Sequence, residues 1–414
     1  MKMTGWNSAL FRIATYSFVA GMLLRIGVVA ATHPHFVDYR CFVAATDAMA
    51  RGMDPFAREN LAWTPWDIAP LVYPGLATFF LPFVPLGLYA GAYLFFVLNV
   101  MAGLAYYAIV VRASGLCSQF SMRRPCAETA LVVLGAFLYV NSIFFTLCIR
   151  AGQVSIWASL FFFLSLVAAG VSRRACCMGI AAAIKYSNIP LLALTSLSKG
   201  QLRCCVLAFC WFLALSLAPC IFGHSPITLY QSYARCLSQW MQPGGGNNFA
   251  ESGQTMVSLG YFKPYGLNAI VSATLLGIFS VVLWKDRRFS RDINNLHVIF
   301  ALVCLSLLLV YHRVYDAVLA YPILLVEAVA LFRSNRRWHA TVAAGFALVF
   351  VLPGAWWDIT ARKFGQAVGE NSLIHLPNQF LPLTALVFSA LAVYALSLAL
   401  FESPFLIGRQ PRQK

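Results

Sequence analysis

Charge is what this chain has least of. Of its 414 residues, 11% are charged and 60% are hydrophobic, whereas a soluble globular chain carries about 25% charged residues. No single soluble core could hide so much apolar sequence. A polytopic membrane protein is the default reading. Acids are scarcer than bases, 14 against 30. In a soluble protein the resulting net charge of +16 would suggest nucleic acid. Here the bases fall in short clusters between apolar runs, which is a topology signal, so no nucleic-acid partner is expected. Zinc-finger spacing, a Walker loop and a dinucleotide fingerprint are all missing. So are an internal repeat and a low-complexity tail. A cleavable signal is not expected either, because the first apolar run holds Arg12 and Arg25 and lacks a small-residue cleavage site. Twelve cysteines are present, but most sit inside apolar runs such as "LRCCVLAFC", where Cys is a small core residue. Cys176/Cys177 and Cys204/Cys205 adjoin basic clusters. They are expected to face a reducing cytoplasm, and no disulfide framework is implied.

What is present is a series of apolar runs long enough to cross a bilayer at about 20 residues each. The expected spans are 9–31, 89–111, 128–149, 153–171, 204–222, 267–284, 295–311, 316–332, 340–357 and 381–401. The stretch 175–198 has basic flanks at both ends and a break at Lys185. It reads as two short helices meeting at the outer side, since positive flanks stay inside. The proline-rich stretch 71–88 reads as an interfacial helix on the outer surface. The expected architecture is an all-α polytopic membrane protein with about twelve transmembrane helices. It forms one membrane domain over 1–414, with both termini cytoplasmic and interfacial helices in the first outer loop, 32–88. The plasma membrane is the expected location. Most acids then fall outside, together with the long loops 32–70, 223–266 and 358–380. Function is expected there.

A few polar residues stand out. Asp38 follows the first span, and Phe42, Ala45, Met49 and Met53 after it have helical spacing. It is either an N-cap or a general base at the membrane boundary. Arg150 and Gln153 punctuate two spans in "CIRAGQVSIW". They are either a turn with a snorkelling arginine or ligands for a phosphate or sugar. Lys185 in "AAAIKYSNIP" is either a snorkelling lysine or an anion ligand among helix N-termini. His312, Arg313 and Asp316 in "LVYHRVYDAVLAYP" are either a structural knot or a site. His312 and Asp316 share a helical face, Arg313 suits a phosphate, and His312 can relay a proton. His312 and Asp38 are expected in one outer-facing cavity. The loop around Gly244–Gly246 is only a weak phosphate-loop signal and reads as a mobile lid or acceptor segment.

In order along the chain come an acid after the first span, interfacial helices, Tyr73-Pro74, Gly152-Gln153, a break from Ile184-Lys185 to Pro190, and "YHRVYD" from Tyr311 to Asp316. Over about residues 10–330 this resembles glycosyltransferase family 87, in the GT-C superfamily of polyprenyl-phosphate-sugar-dependent transferases. That family includes phosphatidylinositol-mannoside mannosyltransferases. The resemblance implies a GT-C fold and Asp38 as the catalytic acidic residue, with His312 beside it. Lys185, Arg313, Gln153 and Arg150 would bind the donor phosphate. Tyr39, Tyr73, Tyr311 and Asp316 would contact substrate. Gly75 replaces the second proline of the family's "YPP" element, and Cys41 and Phe42 stand where members often carry tyrosines.

The implied reaction is hexosyl transfer, mannose first, from a polyprenyl-phosphate sugar to a glycolipid or glycan acceptor, with inversion and Asp38 as base. A monophosphate leaving group implies no metal and no cofactor. A lipid or glycolipid flippase is the competing class, because broken helices and intramembrane charges also mark transporters. The one-sided placement of the polar groups and the lack of an inverted repeat speak against it. An arabinofuranosyl transferase is the other alternative, and no residue decides it.

Overall fold

A computed structural model describes residues 5–32, 36–65, 69–70, 72–115, 127–186, 202–241, 296–309, 314–351 and 381–401, with single positions 189, 274 and 277. Among the described residues there are helices and no strand, as expected of a helical membrane protein. The helices are α1 (Gly5–Ala31), α2 (Val37–Ala50), α3 (Pro74–Phe80), α4 (Gly87–Ala113), α5 (Ala127–Asn141), α6 (Ile143–Ala151), α7 (Ser155–Val167), α8 (Val171–Ile184), α9 (Leu202–Leu217), α10 (Pro226–Met241), α11 (Leu296–Leu309), α12 (Tyr321–Arg333), α13 (Arg337–Val349) and α14 (Leu381–Phe401).

Among the described residues, three helical stretches are long and apolar enough to cross a membrane: Arg12–Ala31, Pro74–Ala113 and Leu202–Phe222. Their outward faces are apolar. Leu23 and Leu24 on α1 and Phe209 on α9 are more than half exposed, which suits a lipid solvent rather than water.

Two expectations change. The expected single span 128–149 is two helices, α5 and α6, bent by 53°. Ser142 makes the bend: its hydroxyl accepts from Phe145 N–H at 3.2 Å and donates to the Tyr139 carbonyl at 2.7 Å. A short hydroxyl side chain that bonds the backbone locally competes with the helical ladder. The expected outer loop 223–266 contains a helix, α10. Leu229, Tyr233, Cys236 and Trp240 turn its inner face toward the protein. Within the stretch 71–88, α3 and a 3-10 segment, Leu81–Leu86, lead into α4. Pro82 and Pro85 remove donors and shape that junction. Most of the span expected at 267–284 and most of the second short helix expected within 175–198 lie outside the described residues.

Small residues set the tightest packing. On α8, Ala175, Gly179 and Ala183 recur every fourth position and are buried. That spacing lets backbones approach closely inside a membrane. α8 packs most extensively against α9, then against α7. A Cβ on Gly179 would stand 2.4 Å from the Trp211 Cβ. Gly75 of α3 meets the same seam. A Cβ there would lie 2.9 Å from the Ala183 carbonyl oxygen, so a second proline after Pro74 would not fit against α8.

Irregular backbone inside the bundle is satisfied by tyrosines, as a low-dielectric setting requires. The 3-10 segment Val314–Leu319 packs on α6 and α7. Tyr106 of α4 donates to the Leu319 carbonyl at 2.6 Å. Tyr321 ties α12 to α13 through the Ala347 carbonyl at 2.7 Å. One buried acid of α12, Glu327, meets His297 of α11 at 2.9 Å. An unpartnered carboxylate there would be costly.

Candidate active site

The site grows from the turn between α6 and α7. Gly152 ends α6 with φ 73, a left-handed conformation that glycine adopts without strain. Space is the second constraint: a Cβ at Gly152 would lie 2.6 Å from the Tyr39 Cβ. The turn is pinned from two sides. Gln153 N–H donates to the Cys148 carbonyl at 2.9 Å, and the Asn99 side chain donates to the Gln153 carbonyl at 3.1 Å. Phe36 N–H, at the start of α2, donates to the Arg150 carbonyl at 3.0 Å. The first turn of α2 is thereby held against the α6–α7 turn.

That docking brings Asp38 to Gln153. The Gln153 amide donates to Asp38 Oδ2 at 2.6 Å. The N-cap alternative for Asp38 falls away. Phe36 holds the cap position and makes no side-chain cap bond, and Asp38 lies two positions further on, in the first turn. A carboxylate is favoured in a first helical turn by the helix dipole, but this one points across the bundle.

A second cluster lies two residues further on. α8 ends at Lys185, whose backbone is extended (φ −148, ψ 102). Its ammonium contacts Asp316 of the 3-10 segment. Ser155, the first residue of α7, joins them: it donates to Asp316 Oδ1 at 2.6 Å and accepts from Lys185 Nζ at 2.9 Å. All three side chains are buried. The pair is close to neutral, which is the form in which charges persist in low dielectric. The two clusters are neighbours along the chain, since Gln153 of one and Ser155 of the other stand two residues apart in the same turn.

The other expected residues divide. Tyr73 precedes α3 and packs its half-buried ring at a tilt of 31° against Tyr186, the residue after Lys185, with centroids 4.6 Å apart. Tyr186 in turn reaches Ser216 and Tyr230, each at 3.2 Å. Tyr39 is fully buried among Phe80, Phe83 and Phe95, and its hydroxyl donates to the Gly87 carbonyl at 3.2 Å. Direct substrate contact by Tyr39 would require both to change. The Arg150 side chain is exposed. Cys41 and Phe42 are buried. Burial above all, then the Asp38 charge, pushes the Cys41 thiol well above its usual range, so it stays protonated. Tyr311, His312, Arg313 and the Gly244–Gly246 loop lie outside the described residues.

Ser155, Asn99 and Tyr186 were not singled out in the sequence. Asn99 carried a readable signal, a lone amide inside an apolar helix. Ser155 and Tyr186 did not, because serine and tyrosine are ordinary in membrane helices.

A membrane bundle that gathers carboxylates, an amide and an ammonium at one cluster of helix ends has the means for polar chemistry on a membrane-held substrate. The chain matches the family model of glycosyltransferase family 87 over residues 72–311. It belongs to that family and is a membrane glycosyltransferase. Gln153 and Lys185 fall inside the match, and Asp38 and Asp316 lie beyond its ends. No curated protein matches the chain, and no solved structure does.

Proposed function

We propose that the protein is a GT-C transferase that moves a hexose, mannose first, from a polyprenyl-phosphate donor to a glycolipid or glycan acceptor at the outer face of the plasma membrane. The observation that supports this most is the shared turn. Gln153 holds Asp38, and two residues later Ser155 holds Lys185 and Asp316. A carboxylate and a cation are thereby fixed from one short segment.

In this reading Asp38 takes the proton of the acceptor hydroxyl as its oxygen attacks the anomeric carbon. The carbon–oxygen bond to the donor phosphate breaks, and the phosphate leaves with the electron pair. One in-line displacement inverts the anomeric centre. Gln153 orients the carboxylate. Lys185 is the cation facing the leaving phosphate, positioned by Asp316 and Ser155. Arg313 supplies the bidentate phosphate contact, His312 assists proton transfer, and Arg150 serves at the headgroup level. Tyr73, backed by Tyr186, offers a ring face to the sugar. Tyr311 completes the substrate contacts. A monophosphate leaving group needs less charge neutralisation than a diphosphate, so activity is expected to persist in EDTA.

The test uses purified protein with radiolabelled polyprenyl-phosphate-mannose and membrane lipids. A labelled lipid or glycan with inverted anomeric configuration supports the reading. Proteoliposomes that move the donor across without transfer would instead identify a flippase. A donor panel that includes polyprenyl-phosphate-arabinofuranose decides hexose against pentose.

A further inference from the structure

Arg40 lies two positions after Asp38 on α2. A step of two residues turns an α-helix by about 200°, so the two side chains leave on different faces. Asp38 points toward Gln153. Arg40 points to the seam between α2 and the first turns of α4. Its guanidinium carbon lies 4.5 Å from the centroid of the Tyr89 ring and 5.4 Å from that of Trp63.

The surroundings are those of a membrane boundary. Tyr89, Tyr93, Leu94, Val97 and Met101 are all exposed and follow one another down one side of α4 at helical spacing. In a membrane protein that stripe faces lipid, and the tyrosines at its head mark the headgroup level. Phe36 packs edge-on against Tyr93, with centroids 5.3 Å apart, which fixes the start of α2 at the same level.

Arg40 is also incompletely satisfied. Its Nε is buried and has no hydrogen-bond partner, and among the described residues no carboxylate pairs with it. Arg51, at the far end of the same helix, is paired with Asp47 at 2.8 Å. A desolvated guanidinium N–H costs free energy until an acceptor arrives. The ring faces of Tyr89 and Trp63 hold the cation but accept nothing at its edge.

We propose that Arg40, held by Tyr89 and Trp63, is a seat for the phosphate of an anionic phospholipid on the lipid-facing flank of α2, separate from the Asp38 pocket. Headgroup phosphates are the abundant oxyanions at this depth, and a planar guanidinium matches them with two parallel hydrogen bonds. A lipid bound there would brace α2 from behind. This inference rests on the membrane placement of α4 and not on the donor chemistry, so it stands or falls apart from the transferase reading.

The experiment measures binding of dioctanoyl-phosphatidylglycerol to the full-length protein in a neutral detergent, by thermal shift and native mass spectrometry. Arms with inorganic phosphate and with a short-chain prenyl phosphate run in parallel. The expected result is saturable phosphatidylglycerol binding that Arg40→Gln weakens about tenfold or more, the loss of a charge-assisted contact. Inorganic phosphate should give no shift, and prenyl phosphate should bind both proteins equally. Equal phosphatidylglycerol binding by both overturns the proposal. So does a matching response to inorganic phosphate, which would mark a simple anion site, or loss confined to prenyl phosphate, which would assign Arg40 to the donor. If Arg40→Gln does not fold, photo-crosslinking of headgroup-tagged phosphatidylglycerol to the wild type decides. Adducts within 37–50 or 87–93 support the seat, and adducts only elsewhere overturn it.

Discussion

Lys185 and Asp316 stand 131 positions apart in sequence and share a buried contact. Removing one partner leaves the other charge buried alone. Lys185→Met is therefore expected to destabilise the protein by about 3–5 kcal/mol, the range for broken buried pairs. Lys185→Met combined with Asp316→Asn removes both charges, and its loss should fall well below the sum of the singles. Apparent melting temperatures of the four proteins in one detergent check this, and additive losses would refute the coupling. Transfer activity should stay lost in the double variant, because the proposed cation is gone. Sequence reading marked Lys185, Gln153, Asp38 and Asp316 because polar groups are conspicuous in apolar runs. It did not give their pairing. Gln153 with Asp38 and Lys185 with Asp316 are contacts set by how helices dock, and nothing local to either residue encodes its partner.

At the scale of elements, the α6–α7 turn is the hinge of the site. Gly152→Ala combines a left-handed backbone, costing about 1–2 kcal/mol for a residue with a Cβ, with a contact 2.6 Å from Tyr39. The expected outcome is a less stable protein whose catalytic rate falls more than its donor KM rises, since Gln153 no longer holds Asp38. Steady-state kinetics beside a melting curve measure this. Gly179→Leu should force α8 and α9 apart and lower stability by about 1–3 kcal/mol, as overpacking does, without a specific effect on KM. Helix breaks written in charge were legible: α8 does end at Lys185. The bend at Ser142 was not, because one serine in an apolar run does not interrupt hydropathy, though it redirects the backbone. α10 is legible in the sequence. Pro226 at its start and Leu229, Tyr233, Cys236 and Trp240 along one face spell an amphipathic helix.

For the whole molecule, apolar composition and the order of short motifs led to a helical membrane glycosyltransferase of family 87, and the family match supports that class. The number of spans was less legible. α7 has 13 residues, about 20 Å of helix, short of the bilayer core at about 30 Å. Hydropathy windows do not separate such half-spans from full ones. The proposed topology has a direct check in reporter fusions. A fusion after Gly115 should read cytoplasmic, with 71–88 lying on the outer surface. An outer reading would mean that 71–88 crosses, and the orientation that follows it would invert.

The central claim is that Asp38 removes the acceptor proton. Asp38→Asn keeps the shape and retains an oxygen to accept from Gln153, so the fold should survive. The measurement is the rate of sugar transfer by this variant at saturating polyprenyl-phosphate-sugar and acceptor, with melting temperature and donor KM determined on the same protein. The account predicts a fall in kcat of about 10²–10⁴-fold, the usual worth of a general base, with melting temperature and donor KM unchanged. Product formed at the wild-type rate would contradict it.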